Sequence, residues 1–270
     1  MYKAFGFRYI RLMKASYFLL IPATLLMSCG GESESTAEKT DSLKTDTTAL
    51  MAPNVSINVN SLLAKYTIHA SAPLLLDTTY LAEMELNDSA LLSADEIRFL
   101  SYNFVENDLS YSGKSSIDDA LFFDSLKAAG GYEGYVEVLD LGMMKDANAY
   151  AAQKVTLDDT TSLLLWYVDF GTYEACPYFS GKTLYASIFR NNEVRASTLI
   201  GENSGGGDAP YWSETMTSFS IENGTMKTVK TDRNGGETDE EGNELVSEST
   251  VTYELRIVNG TWEVTEAVAE

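Results

Sequence analysis

Four aspartates are the residues with which this chain could carry out acid–base chemistry. They are Asp158, Asp159, Asp169 and Asp208. Two carboxyl groups about 5 to 9 Å apart in a cleft, one of them with a raised pKa, can serve as acid and base in hydrolysis. The four residues therefore predict a carboxylate-dependent hydrolase, provided that the fold brings two of them together.

A dense group of oxygen ligands near the C-terminal end could bind calcium. Residues 232–244 read DRNGGETDEEGNE, and carboxylate and amide oxygens are ligands that Ca²⁺ prefers. The candidate ligands are Asp232, Asn234, Asp239 and Glu241. The segment is not an EF-hand, because Glu237 stands where that loop needs glycine and Asn243 where it needs a bidentate glutamate. A generic calcium site and a solvated acidic hairpin loop are the two interpretations, and no other cofactor is expected.

The chain has one histidine, His69, so a site built from two imidazoles is impossible within a single chain. A dyad of Cys176 with His69, or a serine with His69 and an aspartate, is compatible with the sequence because such partners meet only in the fold. No G-x-S-x-G motif supports the serine alternative. Cys176 is more typical of a small buried apolar residue, so catalysis by these groups is not the preferred interpretation.

A glycine run and two aromatic residues lie close together in the sequence. Residues 205–207 and Asp208 lack the Gly-Lys-Ser/Thr of a phosphate-binding loop and predict a flexible loop between strands. Tyr211 and Trp212 follow Pro210, which could hold two flat rings at the end of a sheet. Packing in the core is the preferred interpretation of these rings. The alternative is a platform that stacks on a sugar or on the apolar surface of a partner.

The first 29 residues have the organisation of an export signal. Residues 1–14 carry basic but no acidic side chains, and residues 15–27 form an apolar segment of about 13 residues, too short to span a bilayer comfortably. The tetrapeptide LMSC at residues 26–29 overlaps the end of this segment and resembles the bacterial lipobox. Met27 is bulkier than the common residue at its position. The resemblance implies cleavage before Cys29, acylation of Cys29 and stable attachment to a membrane. An uncleaved signal anchor and a fortuitous apolar start are the alternatives.

The segment that begins at Cys29 predicts a flexible, acidic tether. Residues 29–58 are rich in Ser, Thr, Glu, Asp and Lys, lack aromatic residues and have no apolar periodicity. The tract GGESE at residues 30–34 resembles those that follow the lipidated cysteine in surface-exported lipoproteins of the Bacteroidota, although acidic Ser-rich linkers are common elsewhere. The resemblance implies the bacterial cell envelope, with the protein on the outer membrane and facing the periplasm or the outside.

Composition limits the partners and the cross-links of the mature chain. Without residues 1–28 the chain has 15 Lys and Arg against 40 Asp and Glu, a net charge of −25, which repels nucleic acid. With Cys29 acylated, Cys176 has no partner for an intrachain disulfide. Residues 59–270 are long enough for a single β-rich domain, with a further boundary near residue 160 left open.

Two short helices are predicted in the N-terminal half. Ser93 and Glu96 form a capping box, and apolar residues follow at helical spacing, so the first helix should span residues 94–105. Ser116 indicates the start of a second helix. That helix should end at Gly130, where glycine can adopt the left-handed conformation of a helix cap.

Three two-residue turn signals in the last hundred residues predict β-hairpins. They are Asn191-Asn192, Asn223-Gly224 and Asn259-Gly260. Asn and Gly tolerate the positive φ that a type I′ hairpin turn requires. Two-residue loops would place apolar residues opposite each other two positions from every turn, so that a register slip would bury charge. The predicted pairs are Phe189 with Val194, Ile221 with Met226 and Ile257 with Trp262.

The expected fold class is mainly β, with α+β as the alternative. The hairpins predict an antiparallel meander of about six strands between Lys182 and Glu266, apolar on one face. Residues 62–76, which include His69, predict one or two strands, and residues 135–140 and 155–157 predict further ones. The two helices and these earlier strands are available to cover the apolar face of the meander.

The tether, the meander and the lack of catalytic motifs favour a non-catalytic binding or interaction module, held at the envelope by lipid on Cys29. Its ligand would be a protein or a glycan, and the sequence does not choose between them. The alternative is an envelope hydrolase that acts through the carboxylates.

Overall fold

A computed structural model of the chain describes residues 57–110, 113–131, 144–173, 178–222 and 224–267. The described residues belong to one compact unit, Leu50–Glu270. The export signal, Cys29, nearly all of the tether, Cys176 and the strand predicted at residues 135–140 lie outside the described residues. The hypotheses that concern those segments stay predictions.

The described residues contain three α-helices and eleven strands, which confirms the mainly β fold class. The helices are α1 Val59–Ala64, α2 Ala94–Leu100 and α3 Gly113–Ala128, with a 3₁₀ turn at Asp88–Ala90. The strands are β1 Ile68–Ser71, β2 Leu74–Leu76, β3 Phe104–Val105, β4 Met144–Thr156, β5 Thr161–Tyr173, β6 Tyr178–Arg190, β7 Glu193–Gly207, β8 Trp212–Glu222, β9 Thr225–Thr238, β10 Glu244–Val258 and β11 Thr261–Ala267. No described helix is long and apolar enough to cross a membrane.

Strands β4 to β11 follow one another across a single sheet as an antiparallel meander. Its last six strands, β6 to β11, are the meander predicted from the turn signals, and the structure extends it back by β4 and β5. Short strands from the N-terminal part join the sheet: β1 pairs in parallel with β4, β2 pairs with β8, and β3 pairs in parallel with β7. Strands from the N-terminal part therefore belong to the same sheet as the meander.

The three predicted hairpin registers are confirmed. The observed partners are Phe189 with Val194, Ile221 with Met226 and Ile257 with Trp262. The turn residues have the positive φ that such turns need, with values of 54° at Asn191, 62° at Asn192, 74° at Gly224, 53° at Asn259 and 79° at Gly260. Local turn chemistry therefore decides the pairing at these three places.

Helix α2 begins as predicted and ends earlier. The capping box is present, because the Ser93 side chain accepts from the Glu96 backbone N–H and the Glu96 carboxylate accepts from the Ser93 backbone N–H. The extension to residue 105 is wrong, since Asn103 has a φ of 48° and Phe104–Val105 forms β3. Pairing with β7 and packing of the Phe104 ring at 6.1 Å from the Tyr185 ring outweigh the local helical spacing.

Helix α3 starts at Gly113, before Ser116, and ends as predicted. Gly130 has a φ of 68°, and its N–H and that of Gly131 donate to the carbonyls of Lys127 and Leu126, which closes the helix in a Schellman motif.

The strand prediction for residues 62–76 is confirmed from Ile68 onward. Its first residues instead end α1, whose N-cap Asn58 accepts from the Ser61 N–H and whose Leu62 is fully buried.

Two layers cover the central strands β5 to β7. Helices α2 and α3 lie on one face, where Ser187 donates to the Leu100 carbonyl at 2.7 Å and Tyr185 donates to the Gly113 carbonyl at 2.6 Å. Residues 77–87 lie on the other face, where the Tyr167 hydroxyl donates to the Glu85 carbonyl. With both faces covered, strand β5 is buried almost continuously from residue 163 to residue 168.

The sheet opens between β7 and β8. Backbone pairing of these two strands is limited to residues 203–206 and 213–216. Beyond that point, side chains from the second half of the meander satisfy the β7 backbone: Thr217 accepts from the Glu202 N–H at 3.0 Å, and Thr228 donates to the Ile200 carbonyl at 3.1 Å. Where the two strands diverge, these threonine side chains are buried and take the place of backbone pairing.

Candidate functional site

A groove lies across strands β4 to β8, on the face opposite helix α3. Its cavity volume is about 740 Å³, within the range of about 300 to 1,000 Å³ that is typical of small-ligand sites. Its floor is one row of residues in register across the five strands: Asp146, Gly171, Ser180, Gly205 and Glu214. Leu81 and Ala82 form a wall on one side, and Trp212 lies on the other.

Two glycines keep the floor of the groove open, since Gly171 and Gly205 flank Ser180 and present only backbone. The prediction of a flexible loop at residues 205–207 is wrong, because these residues complete β7 and pair with β6 and β8. A Cβ atom on Gly207 would lie 2.1 Å from the Tyr211 carbonyl oxygen. Glycine is needed there because the chain turns closely back on itself.

Asp169 and Lys182 are cross-strand partners in the next row of the groove. The Lys182 ammonium donates to the carbonyls of Met84 at 2.6 Å and Leu81 at 3.1 Å, which ties the wall to the floor. Burial raises the pKa of the Asp169 carboxyl above its ordinary value, Lys182 opposes the increase, and the nearby Asp146 carboxylate adds to it. The carboxyl therefore holds a proton more tightly than an exposed aspartate does.

Each carboxylate of the groove has a basic neighbour. Asp146 lies 3.7 Å from the Lys127 ammonium. Glu214 lies 3.5 Å from the Arg233 guanidinium. Asp169 has Lys182 beside it, as described above. Of these basic groups only Lys182 lines the groove, and Arg233 also lies 3.3 Å from Glu248, so the negative charge of the lining is partly compensated.

The Trp212 indole is fixed at the edge of the groove by three contacts. Its Nε1 donates to the Glu244 carboxylate at 2.6 Å, and the Arg233 guanidinium carbon lies 5.9 Å from the ring centroid. Gly235 is its cross-strand partner, and a Cβ atom there would lie 2.5 Å from the indole. The indole therefore packs against the backbone at Gly235, and its orientation is fixed by contacts within the protein.

The preferred core interpretation of the two aromatic residues is wrong. Tyr211 is 59% exposed, and Trp212 is half-buried and lines the groove. The platform alternative fits Trp212, which lies at the groove, whereas Tyr211 lies outside its lining.

The four candidate catalytic aspartates are not brought together in a cleft, although Asp158 and Asp159 are exposed neighbours in one turn. Asp158 lies in the turn between β4 and β5, where hydrogen bonds from the backbone and hydroxyl of Thr160, followed by those of Thr161, hold its pKa below the ordinary value. Asp169 lies eight residues along β5 from Thr161, roughly 26 Å away. Asp208 follows the end of β7. The groove instead joins Asp169 to Asp146 and Glu214, which sequence reasoning missed.

The predicted calcium ligands are likewise separated and already engaged. Asp232 accepts from the Thr215 hydroxyl at 2.7 Å and lies 3.0 Å from the Lys230 ammonium. Seven residues further on, Asp239 accepts from Asn243 through both backbone and side chain, and these hydrogen bonds lower its pKa. Asn234 belongs to β9, and Glu241 belongs to the hairpin turn. Within the described ranges, no group of three or more His, Cys, Asp or Glu could hold a metal ion.

His69 lies on β1, as predicted, and is exposed opposite Lys154 of β4. Its proposed partner Cys176 lies outside the described residues, so the dyad stays a prediction. Among known proteins, no family model, no curated protein and no solved structure matches the chain.

Proposed function

We propose that this chain is a lipid-anchored binding module of the bacterial envelope that holds its ligand in the groove. The observation that carries the proposal is the groove itself, which combines an open glycine floor, carboxylates that each have a basic neighbour, and an indole held in place by contacts within the protein. Polar groups held in place before binding reduce the entropy lost on association. Such a site is suited to recognition.

The anchor part of the proposal is supported by the sequence around Cys29. A tether of about 30 residues spans on the order of 30 Å as a flexible chain, enough to lift the folded part clear of lipid headgroups. The net charge of −25 after cleavage would also keep that part away from anionic lipid. Acyl chains on Cys29 would thus be the link to the membrane, and the groove would face solvent.

Replacing Cys29 with alanine is expected to release the protein from membranes, because no acyl chain can then be attached. The measurement is fractionation of cells that express the wild-type chain or Cys29→Ala, with immunodetection in washed membranes and in the soluble fraction. Cys176→Ala is the matched control and should stay with the membranes. Retention of Cys29→Ala in washed membranes would contradict the anchor.

Binding in the groove is expected to change the fluorescence emission of Trp212, because Trp212 lines the groove. The other two tryptophans, Trp166 and Trp262, are buried with 0% and 4% exposure and should contribute a constant background. The full chain is titrated with three probe classes: neutral oligosaccharides, hexalysine and hexaglutamate. At least one class should give a saturable change that is absent in Trp212→Phe. A flat response to all three classes would overturn the binding proposal.

The alternative function, an envelope hydrolase, has one observation in its favour. Burial raises the pKa of Asp169, which lies near Asp146, so the Asp169 carboxyl could serve as a proton donor in the groove. The same titrations separate the two functions. Cleavage of an oligosaccharide probe by the wild-type chain and not by Asp169→Asn would favour the hydrolase; intact probe after long incubation would favour the binding module.

A further inference from the structure

We infer that the ligand of the groove is a neutral saccharide chain, an inference that rests on the proposed function of the groove as a binding site. Sugars combine two properties: an apolar ring face that packs against aromatic rings, and hydroxyl groups that both donate and accept hydrogen bonds. The groove presents counterparts to both properties.

The Trp212 indole supplies the counterpart of the apolar face. One side of the ring rests on the backbone at Gly235, and the Nε1 hydrogen bond to Glu244 prevents the ring from rotating away. A large flat ring with few rotatable bonds gives contact area at low entropic cost. Because Trp212 also lines the groove, its remaining surface is available to a ring that enters there.

The floor supplies the counterpart of the hydroxyl groups. Gly171 and Gly205 have no side chain, so a flat ligand can approach the sheet closely, with the Ser180 hydroxyl between them. Asp146 and Glu214 lie at the two ends of the same row and offer oriented acceptors. Hydrogen bonds from sugar hydroxyls to carboxylates are stronger than those between neutral groups.

The basic neighbour of each groove carboxylate argues for a neutral ligand over a cationic peptide. Asp146, Asp169 and Glu214 have Lys127, Lys182 and Arg233 as basic neighbours. A lysine side chain entering the groove would have to compete with these pairs, whereas a hydroxyl can add to them. The strongly acidic surface would still attract cations from a distance, but that attraction is not specific to the groove.

The length of the floor row argues for a chain over a single sugar. The row crosses five strands, from Asp146 on β4 to Glu214 on β8, and four strand spacings of about 4.8 Å give roughly 19 Å. A single ring would contact only part of this row, whereas a short linear oligosaccharide could contact the carboxylates at both ends.

The test is a fluorescence titration of the full chain with maltohexaose, cellohexaose and chitohexaose, repeated with hexalysine and hexaglutamate, at about 0.05 and about 0.5 M NaCl. We expect a saturable change in Trp212 emission with at least one hexasaccharide, and an affinity that changes less than about twofold between the two salt concentrations. Calorimetry with the best hexasaccharide should show binding at least about tenfold weaker in Trp212→Ala.

Two further variants separate stacking from a structural role. Gly235→Ala keeps Trp212 but displaces the indole, so it should weaken binding and raise acrylamide quenching with little change in melting temperature. Tyr211→Ala removes an exposed ring outside the groove and should bind like the wild type.

The outcomes distinguish the inference from the proposed function. Binding of hexalysine in the groove without any hexasaccharide binding would overturn the saccharide inference and leave the binding function standing. Full hexasaccharide affinity in Trp212→Ala would also overturn the inference. Failure of all probe classes, including hexaglutamate, would overturn both.

Discussion

Raising the pH above about 10 is expected to destabilise the domain progressively, because two tyrosines are buried where ionisation of their hydroxyl groups is strongly disfavoured. Tyr66 and Tyr185 are 1% and 0% exposed. Burial raises the pKa of both hydroxyls well above the ordinary value, and the Glu96 carboxylate raises that of Tyr66 further. The unfolded chain loses these protons near pH 10, whereas the folded chain keeps them.

The sign of the effect follows from proton linkage. The folded-state pKa is the higher one for both groups, so the stability is fully present below about pH 10 and is lost as the pH rises toward the folded-state pKa. Above about pH 10, each fully buried tyrosine lowers the free energy of unfolding by about 1.4 kcal/mol per pH unit, and the two together lower it by about 3 kcal/mol per unit. An increase of two pH units would therefore remove about 6 kcal/mol, a large part of a typical net stability of about 5 to 15 kcal/mol.

Urea unfolding between about pH 8 and about pH 11.5 measures this loss, and phenylalanine variants supply the controls. The Tyr66 hydroxyl has no hydrogen-bond partner within the described residues, so Tyr66→Phe should keep or slightly raise the stability at pH 7 and lower the alkaline slope by about 1.4 kcal/mol per pH unit. Tyr185→Phe removes the hydroxyl that is hydrogen-bonded to the Gly113 carbonyl and to the Thr183 hydroxyl, and should cost about 1 kcal/mol at pH 7. An unchanged slope in both variants would contradict the argument.

The contacts on the Trp212 side of the groove could be predicted in part from the sequence. The two-residue turn that contains Gly224 pairs Ile221 with Met226, and the same register continues without interruption along β8 and β9. Counting outward from that turn pairs Glu214 with Arg233 and Trp212 with Gly235. Two of the three contacts of the indole, those with Arg233 and Gly235, therefore follow from turn chemistry and strand alternation.

The opposite side of the groove could not be predicted, because β-bulges displace the register between β6 and β7. Counting from the turn at Asn191 would place Lys182 opposite Gly201, whereas its observed partner is Asn203. Two register shifts, near residues 184 and 188, each add one residue to β7. A bulge depends on how a strand bends over its neighbours, which no local pattern in the sequence records.

The candidate aspartates illustrate the same limit. The sequence shows that Asp158 and Asp169 are close in the chain, but eight residues of strand β5, roughly 26 Å, lie between Thr161, which is hydrogen-bonded to Asp158, and Asp169. Asp169 instead meets Asp146, which lies 23 residues away on the other strand of the hairpin. Side-chain clusters on a sheet follow register, so sequence distance is a poor guide to them.

Replacing Trp166 with alanine is expected to lower the free energy of unfolding by about 3 to 5 kcal/mol. The side chain is fully buried on β5, and its ring stacks on the Tyr185 ring at 4.4 Å. Its Nε1 donates to the Ser187 hydroxyl at 2.9 Å, and that hydroxyl donates to the Leu100 carbonyl at 2.7 Å. The substitution would leave a cavity and remove one link of the chain that joins helix α2 to the sheet.

Thermal unfolding separates this loss from a general effect of removing tryptophan. A loss of about 3 to 5 kcal/mol corresponds to a decrease in melting temperature of roughly 6 to 20 °C for a domain of this size. Trp166→Phe should lose less, since it keeps an aromatic ring against Tyr185 and gives up only the hydrogen bond and part of the volume. Trp212→Ala, at the half-buried groove edge, should unfold close to the wild type. Equal losses at the two positions would mean that the α2 and α3 face is not the main core, and that the groove edge contributes to stability as much as it does to binding.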